Sequence, residues 1–217
     1  RSTFIGFTIT DHGLGSTVAT NPAPQRKWKA LLWGKHPSYM GLQQNTEWLR
    51  AISNHIDIYA TVDSEALESG DFAGTLPDFI DNRGILDPLE YFDLLRSSAL
   101  LIGVGQPFWG NAALDALQYG VMTLLPTFNP PLGRCESCTH ALFLEPEDSK
   151  AAKDLHDKIL QLPNRFPMTS QNPYVESLGK PDVYTLPANA HLDSLSAVSS
   201  TLAEIKEEFH RRLGAAQ

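Results

Sequence analysis

The sequence predicts an α/β fold, a parallel sheet with flanking helices, and three observations carry that expectation. Short apolar runs alternate with amphipathic stretches along the chain, the pattern of strands joined by crossover helices. Two of the apolar runs, Trp28 to Trp33 and Leu100 to Val104, end directly in glycine, at Gly34 and Gly105. The hydrophobic fraction of 42% over 217 residues is enough to pack one sizeable core. Residues 1–217 therefore read as a single domain.

The elements follow in order. Phe4-Ile5-Gly6-Phe7-Thr8-Ile9 reads as a buried strand, and the polar stretch from Asp11 to Lys27 as a connection. Trp28 to Trp33 is the second strand. Apolar Trp48, Leu49 and Ile52 give Asn45 to Asn54 one helical face. Ile56 to Val62 is a third strand, ending at the acidic segment Asp63 to Asp71, and Pro77 to Ile85 returns the chain to the sheet edge. Asp87-Pro88 places an N-cap before an N1 proline, so a helix starts there and runs to about Ser98. Leu89, Phe92, Leu94 and Leu95 are expected on its inner side.

Leu100 to Gly105 is a buried strand. Asn111 is placed as the N-cap of the next helix, which carries Leu114 and Leu117 and stops at Gly120. Val121 to Leu125 is a further strand, and Thr127 to Gly133 a proline-rich loop. A helix is expected near Lys150 to Leu162, and a last strand at Val183 to Leu186. Asp193 to Leu213 forms a long amphipathic helix whose basic end, His210-Arg211-Arg212, suits a helix C-terminus.

Charge and composition narrow the function. A formal net charge of −8 argues against nucleic acid or an anionic membrane as the main partner. It leaves room for a phosphorylated ligand, which needs only a few donors. No run approaches the ~18 apolar residues of a membrane span. The chain opens on Arg1 just before a strand-like run, so it is expected to be part of a longer protein. Cys135 and Cys138, with His140 beside them, fit a local or loop-to-loop disulfide, free thiols, or an incomplete metal site. The histidines are scattered and form no triad or metal-binding spacing.

The most informative stretch runs from Gly103 to Gly120 and reads strand, glycine-rich loop, helix. Such a loop lets backbone N–H groups at the helix start approach a phosphate. Asp115, one turn in, is placed to accept hydrogen bonds from ribose hydroxyls. The spacing is not Gly-x-Gly-x-x-Gly and follows a late strand, which disfavours a nicotinamide dinucleotide site. Lys35 follows a strand directly, at the sheet edge where α/β ligands bind, and can neutralise a diphosphate. Gly84-Ile85 can present backbone N–H and C=O to a base while Ile85 packs on its ring. Each residue also has a plain structural explanation: a tight turn, a solvated lysine, a carboxylate favoured in a first helical turn. Phe128-Asn129-Pro130-Pro131 is expected to be a rigid loop.

Seven segments in order resemble glycosyltransferase family 18. They are Phe4-Ile-Gly-Phe7, Leu32-Trp-Gly-Lys35, Ile58-Tyr-Ala-Thr-Val62, Asn82-Arg-Gly-Ile-Leu86, the Gly103–Gly120 stretch, Phe128-Asn-Pro-Pro131 and Thr169-Ser-Gln-Asn-Pro-Tyr174. The resemblance implies a GT-B architecture of two Rossmann-like domains, this chain being the C-terminal, donor-binding one. The N-terminal acceptor domain, absent from this chain, would hold the general base, so no catalytic residue is assigned here. The implied donor is UDP-N-acetylglucosamine, used with inversion, without a cofactor or metal ion. The implied acceptor is a mannose 6-hydroxyl of an N-glycan, reached through that absent domain, and the implied compartment is the Golgi lumen, as the tail of a type II membrane protein.

By the same resemblance Lys35 contacts the diphosphate, Gly84 and Ile85 form the uracil loop, Gly110, Asn111 and Ala112 form the phosphate-facing helix start, and Asp115 is the ribose carboxylate. The family pattern Tyr-Glu-Gly-Pro-Ala-Pro-Leu-Glu stands here as Phe108-Trp-Gly-Asn-Ala-Ala-Leu-Asp115. Trp109 thus removes an acidic contact, and Asp115 is one methylene short of the usual glutamate. Those departures keep two alternatives open: a transferase with another sugar or acceptor, and a non-catalytic nucleotide-sugar-binding module.

Overall fold

The computed structural model describes residues 25–34, 42–63, 76–104, 111–132, 168–170, 173–187 and 195–215. Its strands are β1 (Lys27–Trp33), β2 (Asp57–Ala60), β3 (Ile80–Asn82), β4 (Ser98–Gly103), β5 (Met122–Leu132), β6 (Met168–Ser170) and β7 (Val183–Pro187). Its helices are α1 (Leu42–Ser53), α2 (Pro88–Arg96), α3 (Ala112–Gln118), α4 (Pro173–Glu176) and α5 (Leu195–Ala215). The expected strand at Phe4 to Ile9, the helix near Lys150 to Leu162 and both cysteines lie outside the described residues.

The expected Rossmann-like sheet is present. Its order is β3-β2-β1-β4-β5-β6, with β7 also paired to β5. All pairings are parallel except β5 with β6. Residues Ala30–Trp33 of β1 and all of β4 are buried, because a parallel strand between two helical layers must be apolar on both faces. Alternate residues therefore feed two cores. One gathers Ala30, Leu32, Ile58, Leu100, Ile102 and Leu124 under α1 and α5, and the other gathers Leu31, Trp33, Leu101, Val121 and Leu125 under α2 and α3.

Helix α2 starts as the residue types dictate. Asp87 accepts hydrogen bonds from the N–H groups of Leu89 (2.8 Å) and Glu90 (3.0 Å), and the Asp87 N–H donates to Glu90 Oε2 (3.4 Å), a capping box ahead of Pro88. Its inner side differs from expectation at one residue. Leu95 is fully buried, but Leu89 is 57% exposed. At 3.6 residues per turn Leu89 lies about 120° around the helix from Leu95, off the buried stripe.

Gly120 ends α3 as expected. With φ +66° it lets its N–H donate to the Leu117 carbonyl (2.9 Å) while the Val121 N–H donates to that of Ala116 (2.8 Å), a Schellman closure. Leu114 and Leu117 are only partly buried, whereas Ala113 and Ala116 are fully buried. Helix α1 begins at Leu42, three residues before the expected Asn45, because Leu42-Gln43-Gln44 are good helix formers.

The proline-rich stretch is a correction. The expected loop from Thr127, including Phe128-Asn129-Pro130-Pro131, is a continuation of β5 to Leu132. Its antiparallel pairing with β6 is irregular between Thr127 and Leu132, the kind of bulged edge that tolerates proline. Thr127 pairs with Pro187 of β7 and also with Ser170 of β6, so these strands lie on opposite edges of β5. Strand β6 therefore takes the edge that a longer β4 would need, and β4 stops at Gly103.

Candidate functional site

The strand order reverses direction between β1 and β4, whose neighbours run outward to β3 on one side and β5 on the other. In an open parallel sheet the carboxyl ends of the strands flanking such a switch point border the ligand crevice, because the following loops diverge there. The described residues at this edge are Trp33 and Gly34 after β1, Val62 and Asp63 after β2, Asn82 to Ile85 after β3, Gly103 and Val104 after β4, and Asn111 at the start of α3.

The candidate residues fall into two groups on this edge. Gly84 and Ile85 follow β3, while Asn111, Ala112 and Asp115 begin the helix after β4. Strands β2 and β1 lie between, so the two groups are about 14 Å apart at ~4.8 Å per strand. A single anion does not bridge that distance, but an extended nucleotide does. Lys35, Gly110 and Trp109 lie outside the described residues.

At the β3 end, the chain is tied down at each residue. The Arg83 N–H donates to the Ala60 carbonyl (2.8 Å), and its guanidinium pairs with Asp81 (2.7 Å) and lies 5.0 Å from the Tyr59 ring centroid. Asn82 Oδ1 accepts from the N–H groups of Val62 (2.9 Å) and Gly84 (3.2 Å), and its Nδ2 donates to the Val62 carbonyl (3.1 Å). Gly84 is left-handed, at φ +68°, with nothing within 4 Å of where a Cβ would stand. Ile85 is 56% exposed, an apolar surface held out at the sheet edge. The expectation that Gly84 offers its own N–H to a base needs correcting, since that N–H already donates to Asn82. Among the described residues, the Gly84 carbonyl and the Ile85 N–H have no hydrogen-bond partner.

The other group differs from expectation in two ways. Asn111 already has helical dihedrals, φ −70° and ψ −19°, and its side chain makes no capping hydrogen bond. A side-chain cap needs the extended conformation that Asp87 adopts, with ψ 162°. The N–H groups of Ala112, Ala113 and Leu114 precede the first intrahelical bond, from the Asp115 N–H to the Asn111 carbonyl (2.9 Å). With seven residues, α3 offers those N–H groups more than a large dipole.

Asp115 is partly buried where α3 packs beside α2. Phe92 meets Tyr119 edge to face at 5.8 Å, and the Arg96 guanidinium lies 5.6 Å from the same ring. One turn nearer the sheet's carboxyl edge, Asp115 places its charge by Tyr91. Burial foremost, and then Asp115, push the Tyr91 hydroxyl above its ordinary range, since a phenolate there would be desolvated and face a carboxylate.

Asn82 and Tyr91 are the residues that pattern reading does not single out. Asn82 did carry a signal, an asparagine two residues before a glycine at a strand end, which is where an Asn side chain bonds the backbone two residues on. Tyr91 carried none beyond its helical position. Among the described residues no group of three His, Cys, Asp or Glu side chains is placed to hold a metal ion, and no helix is long and apolar enough to cross a membrane.

Residues 1–210 match glycosyltransferase family 18. The chain is 28% identical over 209 residues to human alpha-1,6-mannosylglycoprotein 6-beta-N-acetylglucosaminyltransferase A, covering 96% of this chain and 25% of that protein. It is 30% identical over 161 residues to the mouse B enzyme, covering 74% of this chain and 17% of that one. It is 25% identical over 208 residues to alpha-1,6-mannosylglycoprotein 6-beta-N-acetylglucosaminyltransferase from Caenorhabditis elegans, covering 96% and 27%. The chain thus spans about a quarter of the length of the human relative it matches. A match that takes in nearly every residue decides the assignment: this chain belongs to glycosyltransferase family 18.

Proposed function

We propose that this chain is the donor-binding domain of an inverting GT-B glycosyltransferase. It would transfer N-acetylglucosamine from UDP-N-acetylglucosamine, without a metal ion, to a mannose 6-hydroxyl of an N-glycan in the Golgi lumen. One observation carries the reading: two of the family-like segments, Asn82 to Leu86 and Asn111 to Asp115, reach the same carboxyl edge from opposite sides of the switch point. Their spacing suits a uridine at Ile85 and a diphosphate towards α3. The uracil edge offers a carbonyl oxygen that complements the Ile85 N–H. Asp115 accepts from the ribose, and Lys35 with the first N–H groups of α3 stabilises the diphosphate.

In an inverting transfer the acceptor oxygen attacks the anomeric carbon as the bond to the UDP oxygen breaks, and a general base takes the hydroxyl proton. This domain's part is to stabilise the charge that grows on the leaving diphosphate. The base belongs to the N-terminal domain. A second reading, a non-catalytic nucleotide-sugar module, is favoured by the shortened Asp115 lying beside Tyr91 and by Trp109.

Calorimetric titration with UDP, UDP-N-acetylglucosamine and NAD tests the site. UDP is expected to bind, NAD is not, and Lys35→Ala and Asp115→Ala each weaken UDP about tenfold or more, the loss of one charge-assisted contact. No uridine nucleotide binding at millimolar concentration would overturn the reading. Turnover after joining an acceptor domain separates the enzyme from the module.

A further inference from the structure

We propose that Asn82 is the positioning residue for base selection, its side-chain amide fixing the Gly84-Ile85 peptide that reads the nucleobase. This rests on the donor-site reading above.

Strands β2 and β3 pair for the last time at Ala60 and Asn82. Beyond that rung the chain of β2 continues through Thr61 and Val62, which are buried at 2% and 0% exposure. Their backbone groups have left the ladder and need partners away from water. The Asn82 amide acts as one more peptide unit, accepting from the Val62 N–H and donating to the Val62 carbonyl. The anchor is thus inside the core, not on the loop.

The same Oδ1 also accepts from the Gly84 N–H. That bond draws the Gly84 N–H inward and holds the residue at φ +68°. Left-handed backbone is accessible to glycine but not obligatory for it. Without the amide, Gly84 has both signs of φ open to it, and the next peptide swings. With it, the Ile85 N–H has one direction, opposite to the Gly84 carbonyl across the planar trans peptide. Uracil offers N3–H and a carbonyl oxygen, whereas cytosine offers a bare N3 and an amino group. An Ile85 N–H fixed towards that carbonyl position meets an acceptor in uracil and an amino donor in cytosine, and a swinging peptide does not hold that distinction.

The test compares UDP with CDP by calorimetry for wild type, Asn82→Ala and Gly84→Ala, with amide hydrogen exchange on the ligand-free proteins. Wild type prefers UDP, and Asn82→Ala lowers the UDP:CDP preference about tenfold, the loss of one well-directed hydrogen bond. In parallel the Gly84 amide, protected in wild type, exchanges freely in the variant. A purely structural role would lower stability, or weaken both nucleotides equally, and leave the ratio unchanged. An unchanged ratio in folded Asn82→Ala overturns the proposal, as does an unprotected Gly84 amide in wild type. If Asn82→Ala does not fold, Gly84→Ala decides. Its added Cβ meets nothing within 4 Å, so only the backbone angle is challenged, and an unchanged ratio there overturns the proposal equally. Wild type that binds no uridine nucleotide refutes the donor reading and this inference together, whereas wild type that binds UDP and CDP alike refutes the base-reading role alone.

Discussion

Substituting Glu208 by glutamine should make the protein's stability lose a pH-dependent part whose size and window follow from the geometry. The Glu208 carboxylate accepts from Arg211 Nε and Nη2 and from Arg212 Nε, all at 2.6 Å. Arg212 in turn donates to the Pro181 carbonyl (2.9 Å), to Asp182 Oδ1 (2.8 Å) and to the Gly120 carbonyl (3.4 Å). Arg26 donates to the same Gly120 carbonyl (2.7 Å) and to that of Tyr119. Glu208 thus steadies the arginine that ties α5 to the C-terminus of α3. The hydrogen bond from Arg211 foremost, opposed by burial and aided by Arg212, holds its carboxyl at about 2, against an ordinary 4.5.

At about 1.4 kcal/mol per pH unit that depression is worth at most about 3.5 kcal/mol. Arg211 is 63% exposed, so solvent and salt screen its share, leaving about 1–2 kcal/mol. A carboxyl whose folded pKa is depressed contributes above its unfolded value and loses that contribution as pH falls through the folded one. Urea unfolding of wild type and Glu208→Gln should therefore differ by about 1–2 kcal/mol at pH 7, and the gap should shrink from pH 4.5 down to about 2. A gap that stays constant over that range, or widens towards acid, would refute the linkage and leave packing as the cause.

Two further outcomes follow from helix α2 and its neighbour. Leu95→Ala should cost about 2–4 kcal/mol in denaturant unfolding, because a fully buried side chain leaves a cavity, while the 57% exposed Leu89 gives Leu89→Ala under about 0.5 kcal/mol. Equal losses would mean that the helix is rotated from the placement described. Asp115→Asn should lower the alkaline titration of Tyr91, followed by ultraviolet difference absorbance, without returning it to the ordinary range, since burial remains the larger cause. No change would turn Asp115 away from Tyr91.

Much of the scaffold was legible because burial on both faces leaves an unmistakable run of apolar residues. Strands β1 and β4 were readable for that reason, and α2 was readable from Asp87, Pro88 and Glu90, whose roles are local. What escaped depends on partners far along the chain. Nothing in Met168–Ser170 announces an antiparallel strand, because its edge exists only once β4 has stopped. Prolines 130 and 131 read as a loop because pattern alone does not show that they stand at a bulged edge. Gly84 and Ile85 were placed at the sheet edge by pattern, which left contact with a base one option beside a plain tight turn, and the uracil assignment came from resemblance. Asn111 looked like a cap by residue type, and its own helical dihedrals removed the geometry a side-chain cap needs.

Under the donor reading, the position of the diphosphate also settles where the missing chemistry must lie. Inversion requires the acceptor oxygen to approach the anomeric carbon opposite the leaving group. The leaving diphosphate, on this reading, rests on the carboxyl edge of the sheet between β1 and α3. The attacking hydroxyl, and the base that takes its proton, therefore stand on the far side of the sugar, away from this edge. On this reading Asp115, on α3 beside Tyr91, would serve the donor's ribose and not the acceptor. Base selection at Gly84-Ile85 and proton removal across the cleft are then separable functions, and substitution of Asn82 should change which nucleotide is held without changing which hydroxyl is used.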